Sequence, residues 1–230
     1  MSLPDKPSYA AIVGHYEKAL AKHKTGPEAV DWKNSRDAEI RYGIMLDVTA
    51  GDRTPANILD FGCGLGELKC YMDANGFEHL HYEGLDISKA FAAAARQRMP
   101  GTTIHCIDVL DGEATLKEFD YIAMNGVFTR RETLSHVEML DYLERLASRV
   151  FRIAKRGLAF NVMSPCVDWK SDSLFHPTFD EVTGILARSM TSHFVLRNDY
   201  GLYESTYYVY REPRHFQKHG ERPSDASTCV

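Results

Sequence analysis

The chain has 230 residues, 44% hydrophobic and 26% charged, proportions that suit a globular protein and exclude fibrous, collagenous and disordered classes. Its 27 Lys and Arg against 32 Asp and Glu leave a net charge of -5, so the chain as a whole lacks the positive field that captures nucleic acid or anionic lipid. No window approaches the ~18 consecutive apolar residues of a spanning helix, MSLPDKPSYA is not a signal sequence, and Cys63, Cys70, Cys106, Cys166 and Cys229 contain no CxxC pair, so a cytoplasmic protein with reduced thiols is expected.

Tyr9, Ile12, Val13, Tyr16 and Leu20 recur with helical period, as do Ile40, Ile44, Met45 and Val48, and predict two helices ahead of the first strand. Between them, GPEAVDWKNS at 26–35 combines turn residues with an exposed-looking Trp32, which reads as a binding loop. Apolar runs at 58–61, 81–85 and 103–107, separated by helices through about Asn75 and from Ser88 to about Met99, predict a βαβαβ unit. A fourth strand is expected over 119–124. A long amphipathic helix follows over 131–154, with Leu134, Val137, Leu140, Leu143, Leu146, Val150 and Ile153 on its apolar face, then a fifth strand over 158–163. A helix near 179–190 leads into strands at 194–197 and 204–211, joined by NDYGLY as an antiparallel edge hairpin.

This order predicts an α/β fold: a doubly wound, mostly parallel, seven-stranded Rossmann-like sheet whose ligands bind at the carboxyl ends of the strands. A helical cap over 1–50, one domain over 51–211 and a flexible polar tail over 212–230 complete the expected organisation.

The strongest signal is Ile58-Leu59-Asp60-Phe61-Gly62-Cys63-Gly64-Leu65-Gly66, an apolar strand running into three glycines that open a helix. Glycines there let the chain turn sharply and let a ligand lie against bare main chain. Asp86, at the end of the next strand, can accept hydrogen bonds from both hydroxyls of a ribose. A dinucleotide needs GxGxxG with a helix amino terminus facing its pyrophosphate, whereas the spacing here is GxGxG and Asp60 would repel phosphate. Asp60 suits instead a ligand with an amino group and a sulfonium.

At these residues the sequence resembles the class I S-adenosylmethionine-dependent methyltransferases, whose first motif is (D/E)xGxGxG with an acid after the second strand. The resemblance runs over roughly residues 40–165 and implies the cofactor. It implies that Gly62, Cys63 and Gly64 lie under the methionine part, Asp60 near its amino end, and Asp86 and Ile87 at the ribose. Asp108 and Val109 would then meet the adenine, and Asn125 and Gly126 the transferable methyl. The flanks resemble a bacterial small-molecule branch of that superfamily through Tyr16, Trp32, Arg41 and Leu196-Arg197-Asn198-Asp199-Tyr200, with Tyr16 at the cofactor and Arg41 placed to pair with its carboxylate.

Methyl transfer is an in-line displacement governed by alignment, so a base matters only for a hydroxyl or a protonated amine. The fourth motif, Asn125-Gly126-Val127-Phe128, lacks the two prolines of enzymes that methylate exocyclic amines of bases, which with the net charge argues against a nucleic-acid acceptor. Trp32, Phe128, Trp169 and Tyr200 are expected around a small-molecule acceptor, and His176, in the long stretch after the fifth strand, is the base candidate. His79 with His81, and His215 with His219, have no acidic or thiol company suited to a metal, so none is expected. The expected activity is methyl transfer to a hydroxyl or amine; the alternatives are a silent or regulatory cofactor-binding protein and a nicotinamide-dependent oxidoreductase.

Overall fold

The computed structural model of the chain describes residues 9–30, 32, 34–112 and 115–213. Residues 1–8 of the expected cap, and the expected tail from 214 onward with His215, His219 and Cys229, lie outside the described residues. Helix α1 (Ala10–His23) is followed by a 3-10 turn at Pro27–Val30 and by α2 (Ser35–Leu46). The Asn34 side chain starts α2 by accepting the Asp37 backbone N–H at 2.8 Å, satisfying a donor the helix cannot satisfy itself. Then come β1 (Ala56–Phe61), α3 (Glu67–Ala74), β2 (Leu80–Leu85), α4 (Lys89–Arg98), β3 (Ile104–His105), β4 (Phe119–Phe128) and α5 (His136–Phe151). The chain closes through β5 (Ala154–Met163), α6 (Phe179–Ser189), β6 (Phe194–Arg197) and β7 (Glu204–Tyr210).

These strands form one sheet in the order β3-β2-β1-β4-β5-β7-β6. The first five run parallel, and β7 lies antiparallel between β5 and β6. This is the doubly wound Rossmann-like sheet with an antiparallel edge that the sequence predicts. The chain leaves β1 for β2 on one side and returns to β4 on the other, so a crevice opens where the carboxyl ends of β1 and β4 part.

Both faces of the sheet are covered, which is why the central strands β1, β4 and β5 carry apolar residues towards both faces. Leu59, Phe61, Ile122, Leu158 and Phe160 face α1, α5 and α6, while Ile58, Tyr121, Ala123 and Ala159 face α2, α3 and α4. Across the antiparallel pair, Phe160 stands opposite Tyr207 and their rings stack at 5.3 Å.

Several elements differ from expectation, β5 among them, which starts at Ala154 and not at 158. Helix α5 starts at His136, because Ser135 caps it, and Val137 is 73% exposed. The buried set Met139, Tyr142, Leu143, Leu146, Ala147 and Val150 defines the inward stripe, and two residues from Met139 puts Val137 on the opposite side. Strand β3 shrinks to two residues because, at the sheet edge, only Ile104 and His105 meet partners on β2. Strand β4 continues to Phe128, with a register shift between Met124 and Phe128 that throws Asn125–Val127 out of the regular ladder.

At the start of α5, Ser135 Oγ accepts the Glu138 N–H at 3.2 Å and the Glu138 carboxylate accepts the Ser135 N–H at 2.7 Å. Ser135→Ala leaves one amide of this reciprocal cap unmet and should cost about 1 kcal/mol. Urea unfolding checks this through a lower midpoint at unchanged slope, and an unchanged midpoint would show that the cap is idle.

Candidate active site

The loop from β1 to α3 is held open by its glycines. Gly62 sits at φ 77°, where a Cβ would come within 3.0 Å of Val127, and Gly66 caps α3 at φ 81°, where a Cβ would collide with Met99. The Gly62 and Cys63 N–H groups both donate to Leu85 O, at 2.7 and 2.9 Å, which ties the loop to the end of β2.

That end carries Asp86. Its Oδ2 accepts the Gly64 N–H at 3.0 Å and its Oδ1 the Ser88 N–H at 2.8 Å. Burial lifts its pKa to about 6 against the pull of those two bonds, and the Glu17 charge adds to the rise. Asp60 is 3% exposed and accepts the Tyr82 hydroxyl at 2.8 Å. Burial lifts it further, to about 7, with the Asp86 charge contributing. Neither carboxylate has a cation beside it among the groups that set its titration.

Both acids line a cleft at the carboxyl ends of β1, β2 and β4. Gly62, Cys63, Gly64, Ile87, Asn125, Gly126, Tyr16 and Trp32 line it too. Cys63 turns inward into the core cluster with Ile58 and Tyr82, and burial pushes its thiol upward, away from nucleophilic use. Helix α1 forms one wall: the Tyr16 hydroxyl donates to Gly126 O at 3.3 Å, and the Ser88 hydroxyl donates to Glu17 at 2.6 Å. The 26–35 loop, expected to bind, supplies Val30 and Trp32 to the wall, and Trp32 is half-buried there instead of exposed.

Several sequence-predicted residues are not brought to the cleft. Arg41 donates to Glu204 Oε1 at 2.8 and 2.5 Å and lies over the Trp32 ring at 5.0 Å, behind the wall, so its charge is met inside the protein. Burial works against its guanidinium, and Glu204 more than compensates, raising its pKa. Asp108 accepts the Tyr9 hydroxyl and the Leu110 N–H, and Val109 packs into the core under α5. Phe128 is 0% exposed, wedged edge-on against Phe160 and Tyr142, because β4 runs on past Met124 and turns this ring into the interior. Trp169 packs on Tyr203, and the Tyr200 hydroxyl meets Thr206 at 3.0 Å; neither lines the cleft. His176 is held by Nδ1 on Ser164 O at 2.8 Å and has its Nε2 buried, so it too stands off the cleft.

Two residues missed from sequence support the site from beneath. Asn161 Oδ1 accepts the Gly126 N–H at 2.7 Å, and Asn161 Nδ2 donates to Glu204 Oε2 at 2.6 Å. A polar residue inside the apolar run of β5, and an acid opening the aromatic run of β7, were the signals that could have found them.

The cleft therefore offers two buried acids, bare backbone and aromatic walls to a ligand that brings a cation and hydroxyl donors. A family model described as a methyltransferase domain matches residues 59–157. A Mycobacterium tuberculosis (strain ATCC 25618 / H37Rv) protein named "Putative methyltransferase Rv1506c" is 31% identical over 170 residues, covering 72% of this chain and 98% of that protein. Among solved structures, the chain resembles magnesium protoporphyrin IX methyltransferase from Synechocystis PCC 6803 with bound S-adenosylmethionine, with TM-score 0.57 and 16% identity over 92% of this chain and 100% of that one. It also resembles CalS10, an amino pentose methyltransferase from Micromonospora echinaspora, with TM-score 0.54 and 16% identity over 78% of this chain and 92% of that one. At such identities the two structures show a shared fold.

Because Asp60 rises from 3.8 when unfolded to about 7 when folded, its stabilising contribution is complete below pH 3.8 and is lost as pH climbs through 7. Asp60→Asn keeps an acceptor for Tyr82 without the charge. In the ligand-free protein it should gain on the order of 4 kcal/mol at pH 8, the worth of a rise from 3.8 to about 7, and little at pH 4. Thermal melts at the two pH values check this, and an equal change at both would contradict it.

Proposed function

The chain belongs to the S-adenosylmethionine-dependent methyltransferases, and from that premise we propose that it methylates a hydroxyl or amine of a small molecule in the cytoplasm. The observation that carries the cofactor placement is the pair of buried acids, Asp60 and Asp86, on either side of the Gly62–Gly64 loop in one cleft. S-Adenosylmethionine fits this donor set, since its amino group supplies the cation that Asp60 lacks and its ribose hydroxyls supply donors for the free lone pairs of Asp86. When bound, the cofactor supplies an electrophilic methyl group on a positively charged sulfur.

Each wall residue then has a physical task. Gly62 and Gly64 let the ligand lie against the backbone, while the bonds from Gly64 and Ser88 hold the Asp86 carboxylate in one orientation. Tyr16 and Trp32 present rings to the cleft, where a cation gains ~0.5–2 kcal/mol per contact. The Tyr16 hydroxyl, on Gly126 O, fixes the β4 end against α1 and so fixes the distance between cofactor and acceptor, on which an in-line displacement depends. Asp60 speaks against a nicotinamide dinucleotide, whose pyrophosphate at the glycine loop would face this carboxylate.

Calorimetry should show S-adenosylmethionine binding in the micromolar range, about -8 kcal/mol, without competition from NADH. Affinity should rise from pH 5.5 to pH 8, with protons released on binding, because the amino cation needs Asp60 ionised, the ribose hydroxyls need Asp86 ionised, and their pKa values are about 7 and 6. Asp86→Ala should lose ~2–4 kcal/mol through two hydrogen bonds to a charged group. Tighter binding of NADH, or wild-type affinity in Asp86→Ala, would refute the placement.

A further inference from the structure

The lone pairs of one side chain narrow the acceptor, on the basis of the methyl-transfer reading above. Asn125 lines the cleft at the irregular end of β4, and its amide oxygen and nitrogen are told apart by their neighbours. The Gly126 N–H donates to Asn161 Oδ1 at 2.7 Å, so the other end of Asn161 is its NH2. The two hydrogens of that group go to Glu204 Oε2 at 2.6 Å and to Asn125 Oδ1 at 3.4 Å. Glu204 cannot turn away, because Arg41 holds its other oxygen. Asn125 thus spends its oxygen on Asn161, and its Nδ2 is buried without a hydrogen-bond partner among the described residues. A buried donor left unmet is costly, and it marks where a ligand atom with a spare lone pair belongs.

We infer that Asn125 selects an oxygen acceptor, by donating a hydrogen bond to the atom that receives the methyl group. An amine nitrogen has one lone pair, which attack on the methyl consumes, and a protonated amine has none. A hydroxyl oxygen has two and an ionised hydroxyl three. One forms the new carbon–oxygen bond while the electron pair of the breaking carbon–sulfur bond stays on sulfur; another accepts from Asn125. The hydroxyl proton leaves to water. The Asn125 N–H favours the ionised oxygen, and no histidine or lysine is among the described residues lining the cleft to act as base instead. An exocyclic amine would need the opposite orientation, with the amide oxygen turned outward to accept from nitrogen.

The test is to incubate the full chain with S-adenosylmethionine labelled with carbon-13 in its methyl group and a metabolite extract, then to locate the label by NMR. A methyl on oxygen is expected. A methyl on nitrogen, sulfur or carbon overturns the inference and leaves methyl transfer standing, whereas label that stays on a cofactor shown by calorimetry to be bound overturns both. A readout apart from turnover is the affinity of the purified O-methylated product for the protein carrying S-adenosylhomocysteine. Asn125→Ala should weaken it about tenfold and change S-adenosylmethionine binding by less than about threefold. Unchanged product affinity overturns the inference, and Asn125→Ser, if Asn125→Ala does not fold, is read by the same criterion.

Discussion

Glu204 is a carboxylate at the start of a fully buried strand, tolerable only because both of its oxygens are met. Arg41 comes from α2, ahead of the sheet, and Asn161 from β5; between them they occupy Oε1 and Oε2. Taking one partner from such a buried pair costs about 3–5 kcal/mol, so the three residues form or fail together. Through Arg41 the pair reaches the Trp32 ring, and through Asn161 it reaches Gly126 and Asn125. A second tie runs alongside, where the Tyr208 hydroxyl donates to Ile44 O at 2.7 Å. The last strand of the chain thereby sets where the first aromatic wall of the cleft stands.

The molecule treats its buried acids in two ways. Glu204 receives its cation from within and is structural. Asp60 and Asp86 receive neutral donors only, Tyr82 for one and two backbone N–H groups for the other, and retain the cost of their charge. That contrast separates scaffold from binding surface more sharply than proximity to the cleft does, for Arg41 and Glu204 are charged and largely shielded from solvent too.

What the sequence discloses follows from whether the cause is local. The order of strands and helices, the glycine turn and the acids beside it are set by neighbours along the chain, and they are legible in 58–66 and at Asp86. Arg41 was misplaced because its partner lies on the last strand, and no spacing near EIRYGI announces Glu204. Phe128 misled for a related reason: an aromatic after a motif reads as a pocket wall until the length of β4 is known. Asp108 stands after the third strand as the pattern requires, yet Tyr9 takes its carboxylate, a pairing invisible without the path of α1. The irregular end of β4, which exposes Asn125 to the cleft, depends on the register with β5 and has no signature in the four residues themselves.

Helix α1 and its cap residue Tyr9 touch the loops after β2 and β3 and the irregular end of β4, through Glu17, Tyr9 and Tyr16, and each of these three ties is a polar one. With two unpaired acids behind that wall, the empty protein is the more fragile species, and a bound cation raises the free energy of unfolding by mass action as well as by relieving them. Whatever acts on unfolded chains, a protease above all, then removes empty molecules faster than loaded ones.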